Sequence, residues 1–228
     1  MADYFKNVNE IEELNVKLSQ EHLSEDLQKY ELSVNVLAQT LNEIHLSFKD
    51  RELTPEKKIV TVMLAYRFLI ASKCLFKIAT SGYYYESFVL LRSMEENVIY
   101  CLSFEVSSDC AKKWFTKDGL KLKEAKEAIK GSSRNLSYKG YNYLCDYVHS
   151  NKPAIARFQK LRENRGIEIP TGPDFTKEGY RLFRAFRALN MSLLSVLVDV
   201  FIDDLEKKAK NTITTFVSEE QKEMQNKS

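Results

Sequence analysis

Residues 54–105 read TPEKKIVTVMLAYRFLIASKCLFKIATSGYYYESFVLLRSMEENVIYCLSFE, and they contain one clear break. Thr54-Pro55-Glu56 is a typical helix start, with Thr as the N-cap, Pro at the first helical position and an acid in the first turn. Residues 57–80 are apolar on nearly every side, which is typical of a helix in the middle of a bundle. Ser81-Gly82 interrupts this run, and helical spacing resumes at Tyr84. The pattern predicts two long central helices, 57–80 and 84–105.

Helical spacing continues on both sides of this pair. Upstream, an apolar stripe with members every three or four residues predicts a helix ending near Arg51; its members are Leu32, Val36, Leu37, Leu41, Ile44 and Phe48. Downstream, we predict a short helix around Trp114 and further helices over residues 121–130, 137–150, 154–165 and 176–208. Residues 166–173, which hold two Gly and two Pro, are the only strongly loop-like segment.

The composition supports an all-α fold. The chain has 228 residues, is 44% hydrophobic, and contains only 7 Gly and 4 Pro. Sandwiches, propellers and Rossmann sheets need more turn residues than that. We therefore predict an antiparallel helical bundle, 54–208, preceded by an acidic helical N-terminal extension, 1–53, and followed by a polar, peripheral C-terminal tail, 209–228.

The sequence favours a soluble protein of the reducing cytoplasm. The N-terminus lacks the basic and apolar regions of a signal peptide. The longest apolar stretch, Ala188 to Phe201, is interrupted by polar residues and is too short to span a bilayer. The four cysteines, Cys74, Cys101, Cys110 and Cys145, form no CxxC pair and no zinc spacing, so we expect small apolar side chains in the reduced state.

Charge is unevenly distributed along the chain. Residues 1–53 hold eleven acids and five bases, whereas residues 112–165 hold fourteen bases and five acids. The basic excess favours an anionic partner, with RNA as the obvious candidate, bound in part by Lys121, Lys123, Lys126 and Lys130. A solvated lysine face explains the same four residues equally well. Aromatic residues in this region offer stacking partners for bases if they are exposed, and half-buried core if they are not: Trp114, Tyr138, Tyr141, Tyr143, Tyr147 and Phe158.

Several kinds of chemistry are excluded by missing motifs. The sequence has no glycine-rich phosphate loop, no GxSxG elbow, no HExxH and no ExxH pair, so we expect no metal and no cofactor.

Two features of the sequence remain as candidates for a functional site. Arg92 and Glu96 lie four residues apart within an apolar helix and are predicted to pair on one face. His149 is predicted at the end of its helix, where the helix dipole favours a protonated histidine. For each feature the structural interpretation is favoured over the functional one: an ion pair that fixes helix register for Arg92 and Glu96, and a helix cap for His149.

Together these two features resemble a family. Arg92-Ser-x-x-Glu96 on a central helix, followed by Tyr141-x-x-Leu-Cys145-x-x-Val-His149, is similar to a bacterial branch of the HEPN-type helical domains, and the resemblance covers about residues 54–205. Many HEPN domains are dimeric, metal-independent ribonucleases of toxin or antiviral systems. The resemblance therefore implies a nucleic-acid-directed protein of this kind.

In that chemistry His149 is the general acid/base, and Arg92, beside Glu96, stabilises the pentacoordinate phosphate. Tyr141, Lys152 and the four lysines above are the expected substrate-binding residues. A homodimer is implied as well, and a partner protein from the same operon is a further possibility. The apolar excess on the last long helix, Phe183, Phe186, Leu189, Leu193 and Leu197, suggests a second buried side. Two alternatives stay open: a non-enzymatic helical interaction or regulatory module, and a sensor of a small anionic ligand.

Overall fold

The structure, a computed structural model, describes residues 2–48, 56–132, 160–162, 166–168 and 173–226, with side chains over 8–48, 56–132 and 176–226. The described residues form an all-α helical bundle, as predicted, to which one short hairpin is added. The elements are α1 (Ala2–His22), α2 (Ser24–Ser47), α3 (Glu56–Thr80), α4 (Tyr84–Val106), α5 (Ser108–Trp114), α6 (Leu122–Ile129), β1 (Lys160–Arg162), β2 (Gly166–Glu168), α7 (Pro173–Val200) and α8 (Lys207–Asn226).

The predicted central pair corresponds to α3 and α4, and the break between them lies at Ser81-Gly82. Gly82 adopts a positive φ of 94°, which side chains disfavour. The amide of Asn15, on α1, donates a hydrogen bond to the Ser81 carbonyl at 3.0 Å. This amide occupies the space that a side chain at Gly82 would need, because a Cβ there would lie 2.4 Å from Asn15 Nδ2.

The described residues divide into two compact units. The first unit takes residues 2–31, 71–93, 160–162, 166–168 and 173–186. The second unit takes residues 32–48, 56–70, 94–132 and 187–226. The predicted extension, 1–53, is therefore shared between the two units, because residues 2–31 belong to one and residues 32–48 to the other.

An aromatic cluster forms the core of the first unit. The Tyr30 ring lies 4.1 Å from Phe186, 5.3 Å from Phe183 and 5.7 Å from Phe76, measured between ring centroids. Its hydroxyl donates to the Ser72 carbonyl at 2.5 Å, so the one polar atom of the ring is satisfied. Burial raises the pKa of Tyr30 because the interior disfavours the phenolate.

Polar side chains join helices within the second unit. Asn190 on α7 donates to the Ser33 carbonyl at 2.9 Å and to the Ser33 hydroxyl at 2.6 Å. Lys58 on α3 pairs with Asp204 at 2.5 Å. The Lys58 ammonium also lies 5.6 and 5.7 Å from the ring centroids of Phe48 and Phe201. These contacts join α2 to α7, and α3 to the turn that follows α7, since each hydrogen-bonded or paired side chain is largely removed from water.

The structure departs from the predicted elements in the second half of the chain. Residues 160–162 of the predicted 154–165 helix are the strand β1, which pairs antiparallel with β2, so the helix prediction was wrong there. The last long helix begins at Pro173 rather than 176 and ends at Val200 rather than 208. The helix predicted over 137–150 lies outside the described residues.

The C-terminal segment is a helix rather than a peripheral tail. Ile213, Phe216 and Val217 are buried on one side of α8, at the spacing of a helical stripe. The suggested second buried side of the last long helix is also explained within the chain. Phe183, Phe186, Leu189, Leu193 and Leu197 are all buried in the core, so none of them is left for another subunit.

Among the described helices, α3 alone has the length and composition of a membrane span. Of the residues in its most apolar 18-residue window, 39% are buried inside the fold. Its inner face, which includes Val60, Leu64 and Phe68, lies in the core. This inner face packs in the core, while the larger part of the apolar window is not buried.

Candidate nucleic-acid interface

Two adjacent aromatic residues at the end of α5 have opposite environments. Trp114 packs edge-on against Tyr100, with ring centroids 4.6 Å apart, and against Phe104 at 5.7 Å. Phe115, the next residue, leaves the helix with 53% of its surface exposed. Trp114 thus anchors the end of α5 to α4, while Phe115 presents its ring to solvent.

The turn that begins at Phe115 is held by hydrogen bonds to backbone carbonyls at the end of α5. The Phe115 amide donates to the Lys112 carbonyl at 3.2 Å, and the Thr116 hydroxyl donates to the Lys113 carbonyl at 2.7 Å. Gly119 closes the turn at a positive φ of 63°. Leu120 then returns to the core. The backbone that carries the exposed Phe115 ring is therefore held in place.

The Glu124 carboxylate joins α5 to the start of α6. It accepts a hydrogen bond from Lys113 Nζ at 2.7 Å and from the Lys121 backbone amide at 3.0 Å. The lysine contact, followed by the amide contact, holds the pKa of Glu124 below its usual range. Ala125 and Ile129 bury the inner side of α6, which leaves Lys123 exposed and Lys126 half-buried.

The outward side of α5, the turn and α6 is basic. Between Lys112 and Lys130 there are seven lysines and three acids, and all but one of these lysines are exposed. In the described part of the chain, Lys112, Lys117 and Lys123 have no carboxylate within 4 Å. We call Phe115 and the exposed lysines of this segment the α5–α6 surface; its lysines are Lys112, Lys113, Lys117, Lys121, Lys123 and Lys130.

The structure places four of the predicted substrate-binding residues in this region. Lys121, Lys123 and Lys130 are exposed on the surface, and Lys130 lies 3.3 Å from Glu127. Lys126 is half-buried. Trp114 is half-buried against Tyr100 and Phe104, which was the alternative considered for the aromatic residues of this region. Phe115 was missed, because periodicity alone does not say which of two neighbouring aromatic residues is exposed at a helix end.

The predicted catalytic residues are only partly described. Arg92 is buried in α4, 6% exposed, and Glu96 is half-buried one turn further along the helix. Glu95 is the more deeply buried of the two acids, 5% exposed. His149, Tyr141, Lys152 and Cys145 lie outside the described residues, as do the other predicted stacking residues, Tyr138, Tyr143, Tyr147 and Phe158.

The second unit contains a groove large enough for a small ligand. It lies between α2 and α8 and has a volume of about 330 Å³. Two carboxylates, Glu43 and Glu206, line it together with one cation, Lys208. This balance does not favour the anionic ligand considered from the sequence. The described residues contain no group of three His, Cys, Asp or Glu side chains that could hold a metal ion.

The fold and this surface define a helical protein with a basic, aromatic face. No protein family matches the chain, and neither does any curated protein or solved structure.

Proposed function

We propose that the protein binds single-stranded RNA through the α5–α6 surface. The observation that carries the proposal is the exposed Phe115 ring beside lysines that have no acidic partner within the described residues. Proteins that bind single strands combine these two features, because a base stacks on an aromatic ring while cations contact the phosphates. A duplex offers no free base for stacking, so single strands are the expected ligand.

The exposed lysines of the α5–α6 surface would favour binding of a polyanion, in addition to keeping the protein soluble. Each phosphate neutralised by a lysine releases condensed counterions, which favours association and makes it depend on salt. Lys112 and Lys117 lie three residues before and two residues after Phe115, so a strand that stacks a base on the ring would pass close to both.

Within this proposal the protein is a cytoplasmic, HEPN-like ribonuclease of a toxin or antiviral defence system. His149 would transfer protons, and Arg92, beside Glu96, would stabilise the developing phosphate charge. The sequence motifs support this catalytic part, whereas the contacts of Phe115 and its lysines support the binding part.

Binding can be measured by fluorescence anisotropy with labelled single-stranded RNA. Phe115→Ala should weaken binding by about 1–3 kcal/mol, the usual contribution of one stacked base. Phe115→Trp is the matched control, since it keeps a stacking surface and should retain affinity. Circular dichroism of each variant confirms that the helices are unchanged.

The lysines are tested by the salt dependence of the same measurement. Lys112→Ala and Lys117→Ala should each reduce the slope of log affinity against log salt by roughly 0.7 per lost phosphate contact. Lys222→Ala, an exposed lysine on α8, should leave the slope unchanged. Replacing Lys121, Lys123, Lys126 and Lys130 by Glu should abolish binding. Salt-insensitive binding, or none, would contradict the proposal.

A helical interaction module is the second candidate. The observation that favours it is an apolar face on α3 that is exposed to solvent, where Met63 and Ile70 are the most exposed residues. If the parent protein binds no RNA, this function becomes the preferred one.

A further inference from the structure

The exposed residues of α3 lie in a single sector of the helix. At about 100° per residue, all of them fall within about 120° of its circumference. Because they belong to one continuous helix, their arrangement follows from the helix itself. We call them the α3 face, and its members are Glu56, Met63, Tyr66, Arg67, Ile70, Lys73, Cys74 and Lys77.

The middle of the α3 face is apolar. Ile70 is 65% exposed and Met63 is 59% exposed, which makes them the two most exposed large apolar side chains of the described residues. The Tyr66 ring lies beside them and is 37% exposed. Apolar side chains that lie together in water favour a contact that covers them, and a cluster of this kind is typical of a binding surface.

The charge of α3 has one sign after its first residue. Residues 57–80 hold five bases and no acid. Three of these bases, Arg67, Lys73 and Lys77, lie on the α3 face, and none of them has an ion-pair partner among the described residues. Glu56, at the start of the helix, is the one acid of the face. The charge of the face therefore complements an anionic partner that also covers apolar side chains.

We propose that the α3 face binds the surface of a lipid bilayer that contains anionic headgroups. The helix lies in the plane of the interface, where Met63 and Ile70 enter the upper part of the acyl chains. Lysine and arginine have long apolar stems, so their charged ends reach the headgroup phosphates from the same face. Helices that lie on membranes combine apolar and basic residues in this way. Tyrosine, with an apolar ring and a polar hydroxyl, also suits this depth.

Two other anionic partners fit the α3 face less well. A nucleic acid would contact the cations but gain little from Met63 and Ile70, because bases stack on aromatic rings rather than on aliphatic side chains. A protein partner is disfavoured by Lys73 and Lys77, since lysine is depleted in protein interfaces. A lipid surface uses both the aliphatic side chains and the lysines.

The proposed contact involves one leaflet only. The inner face of α3, with Val60, Leu64 and Phe68, stays in the core while the outer face meets the lipid. Anionic lipids are concentrated in the cytoplasmic leaflet, which a protein of the cytoplasm encounters. This inference goes beyond the proposed RNA binding and does not depend on it, because it uses a different surface.

The apolar part is tested by sedimentation of the full chain with vesicles of phosphatidylcholine and phosphatidylserine. Met63→Ser and Ile70→Ser should each lower the partition coefficient about tenfold or more, because each removes one inserted apolar side chain. Leu46→Ser is the matched control, since Leu46 is an apolar residue of similar exposure on α2, and it should leave partition unchanged. Circular dichroism checks that each variant is folded.

The basic part is tested with the same vesicles. Lys73→Ala and Lys77→Ala should each lower the partition coefficient about fivefold, the usual contribution of one basic residue near an anionic surface. Lys222→Ala, an exposed lysine on α8, should have no effect. Binding of the parent should weaken with salt and should be much weaker on vesicles of phosphatidylcholine alone.

Insertion is tested by fluorescence. Tyr66→Trp places an indole on the α3 face, and the vesicles should shift its emission to shorter wavelength. Lipids with brominated acyl chains should quench it. Phe115→Trp, which places an indole on the α5–α6 surface, should show neither effect beyond the signal of Trp114 in the parent.

Three results would overturn the proposal. The first is a parent that does not sediment with the mixed vesicles. The second is binding that Met63→Ser and Ile70→Ser leave unchanged, which would assign it to other cations of the chain. The third is a parent that associates with itself without lipid and becomes monomeric in Ile70→Ser, which would mean that protein covers the face. RNA anisotropy of Ile70→Ser should equal that of the parent, so the two proposals can fail separately.

Discussion

Arg187 on α7 and Glu220 on α8 form an ion pair inside the second unit. Arg187 Nε donates to Glu220 Oε2 at 2.7 Å, and the two side chains are only 5% and 8% exposed. Glu223 accepts a further bond from the same guanidinium at 3.2 Å. The pair lies beside the buried Phe216 and Val217 in sequence, so charge and apolar packing act together to attach the C-terminal helix.

Loss of Glu220 should destabilise the protein strongly. Glu220→Ala leaves the Arg187 guanidinium buried with one acid fewer, and breaking a buried pair in this way costs about 3–5 kcal/mol. We expect this decrease in the free energy of unfolding, measured with urea. Glu219→Ala, which removes the exposed neighbouring carboxylate, should change it little. Equal effects of the two variants would show that the buried pair does not hold α8.

Alkaline pH should destabilise the fold through two buried tyrosines. Burial raises the pKa of both Tyr30 and Tyr84, so the folded state keeps their protons after the unfolded state has begun to lose them. The stabilisation is therefore complete below pH 10 and is lost above it. Each tyrosine should lower the free energy of unfolding by about 1.4 kcal/mol per pH unit in that range.

Phenylalanine variants show whether the two buried tyrosines cause the decline of the free energy of unfolding with pH. The double variant Tyr30→Phe/Tyr84→Phe should show a shallower decline of stability above pH 10 than the parent. Burial also raises the pKa of the Cys101 thiol, which adds a decline of the same slope as one tyrosine that begins nearer pH 9. An identical slope in the parent and the double variant would contradict the burial argument.

Two glycines of similar backbone conformation should respond differently to substitution. Gly82 and Gly119 have positive φ angles of 94° and 63°, so alanine is strained at both. Only at Gly82 would the new Cβ meet a neighbour, Asn15 Nδ2, at 2.4 Å, and displacing that amide breaks its bond to Ser81. Gly82→Ala should therefore cost about 1–3 kcal/mol more than Gly119→Ala in chemical denaturation.

The role of Asn15 can be separated by a double-mutant cycle. If the clash is the cause, Asn15→Ala should relieve part of the cost, and Gly82→Ala/Asn15→Ala should be less destabilised than the sum of the single variants. Strict additivity would mean that the backbone angle alone accounts for the effect.

The central helices were predictable because their signals are local. Thr54-Pro55-Glu56 marks the start of α3 and Ser81-Gly82 marks its end. The apolar spacing between these signals predicts the helix itself. The end of α7 carries no such signal. No Gly or Pro follows Val200, and the chain turns there while Phe201 and Leu205 remain buried, a result of tertiary packing.

The candidate interface also depends on tertiary packing, which the sequence does not show. The excess of lysine in residues 112–165 was visible in the sequence, but the exposure of Phe115 follows from the packing of Trp114 on Tyr100 and Phe104. In α8 the short stripe of Ile213, Phe216 and Val217 was a usable signal. The neighbouring threonines, with their low helix propensity, obscured it.

The catalytic part of the proposal predicts RNA cleavage without a divalent metal. Cleavage by the parent should survive a chelator, and His149→Ala should abolish it because proton transfer is lost. Arg92→Ala should also abolish it, but Arg92 is buried, so its variant must be compared at equal folded fraction by circular dichroism. An intact parent without activity on a panel of RNAs would contradict the catalytic role and leave the binding role to be judged by anisotropy.

The two compact units impose an order on synthesis of the protein. Tyr30, near the beginning of the chain, completes its aromatic cluster only with Phe183 and Phe186, and Ser33 meets its partner only at Asn190. Both units therefore depend on α7. Neither unit can complete its packing before α7 has been synthesised, and the apolar helices made earlier must stay soluble until then.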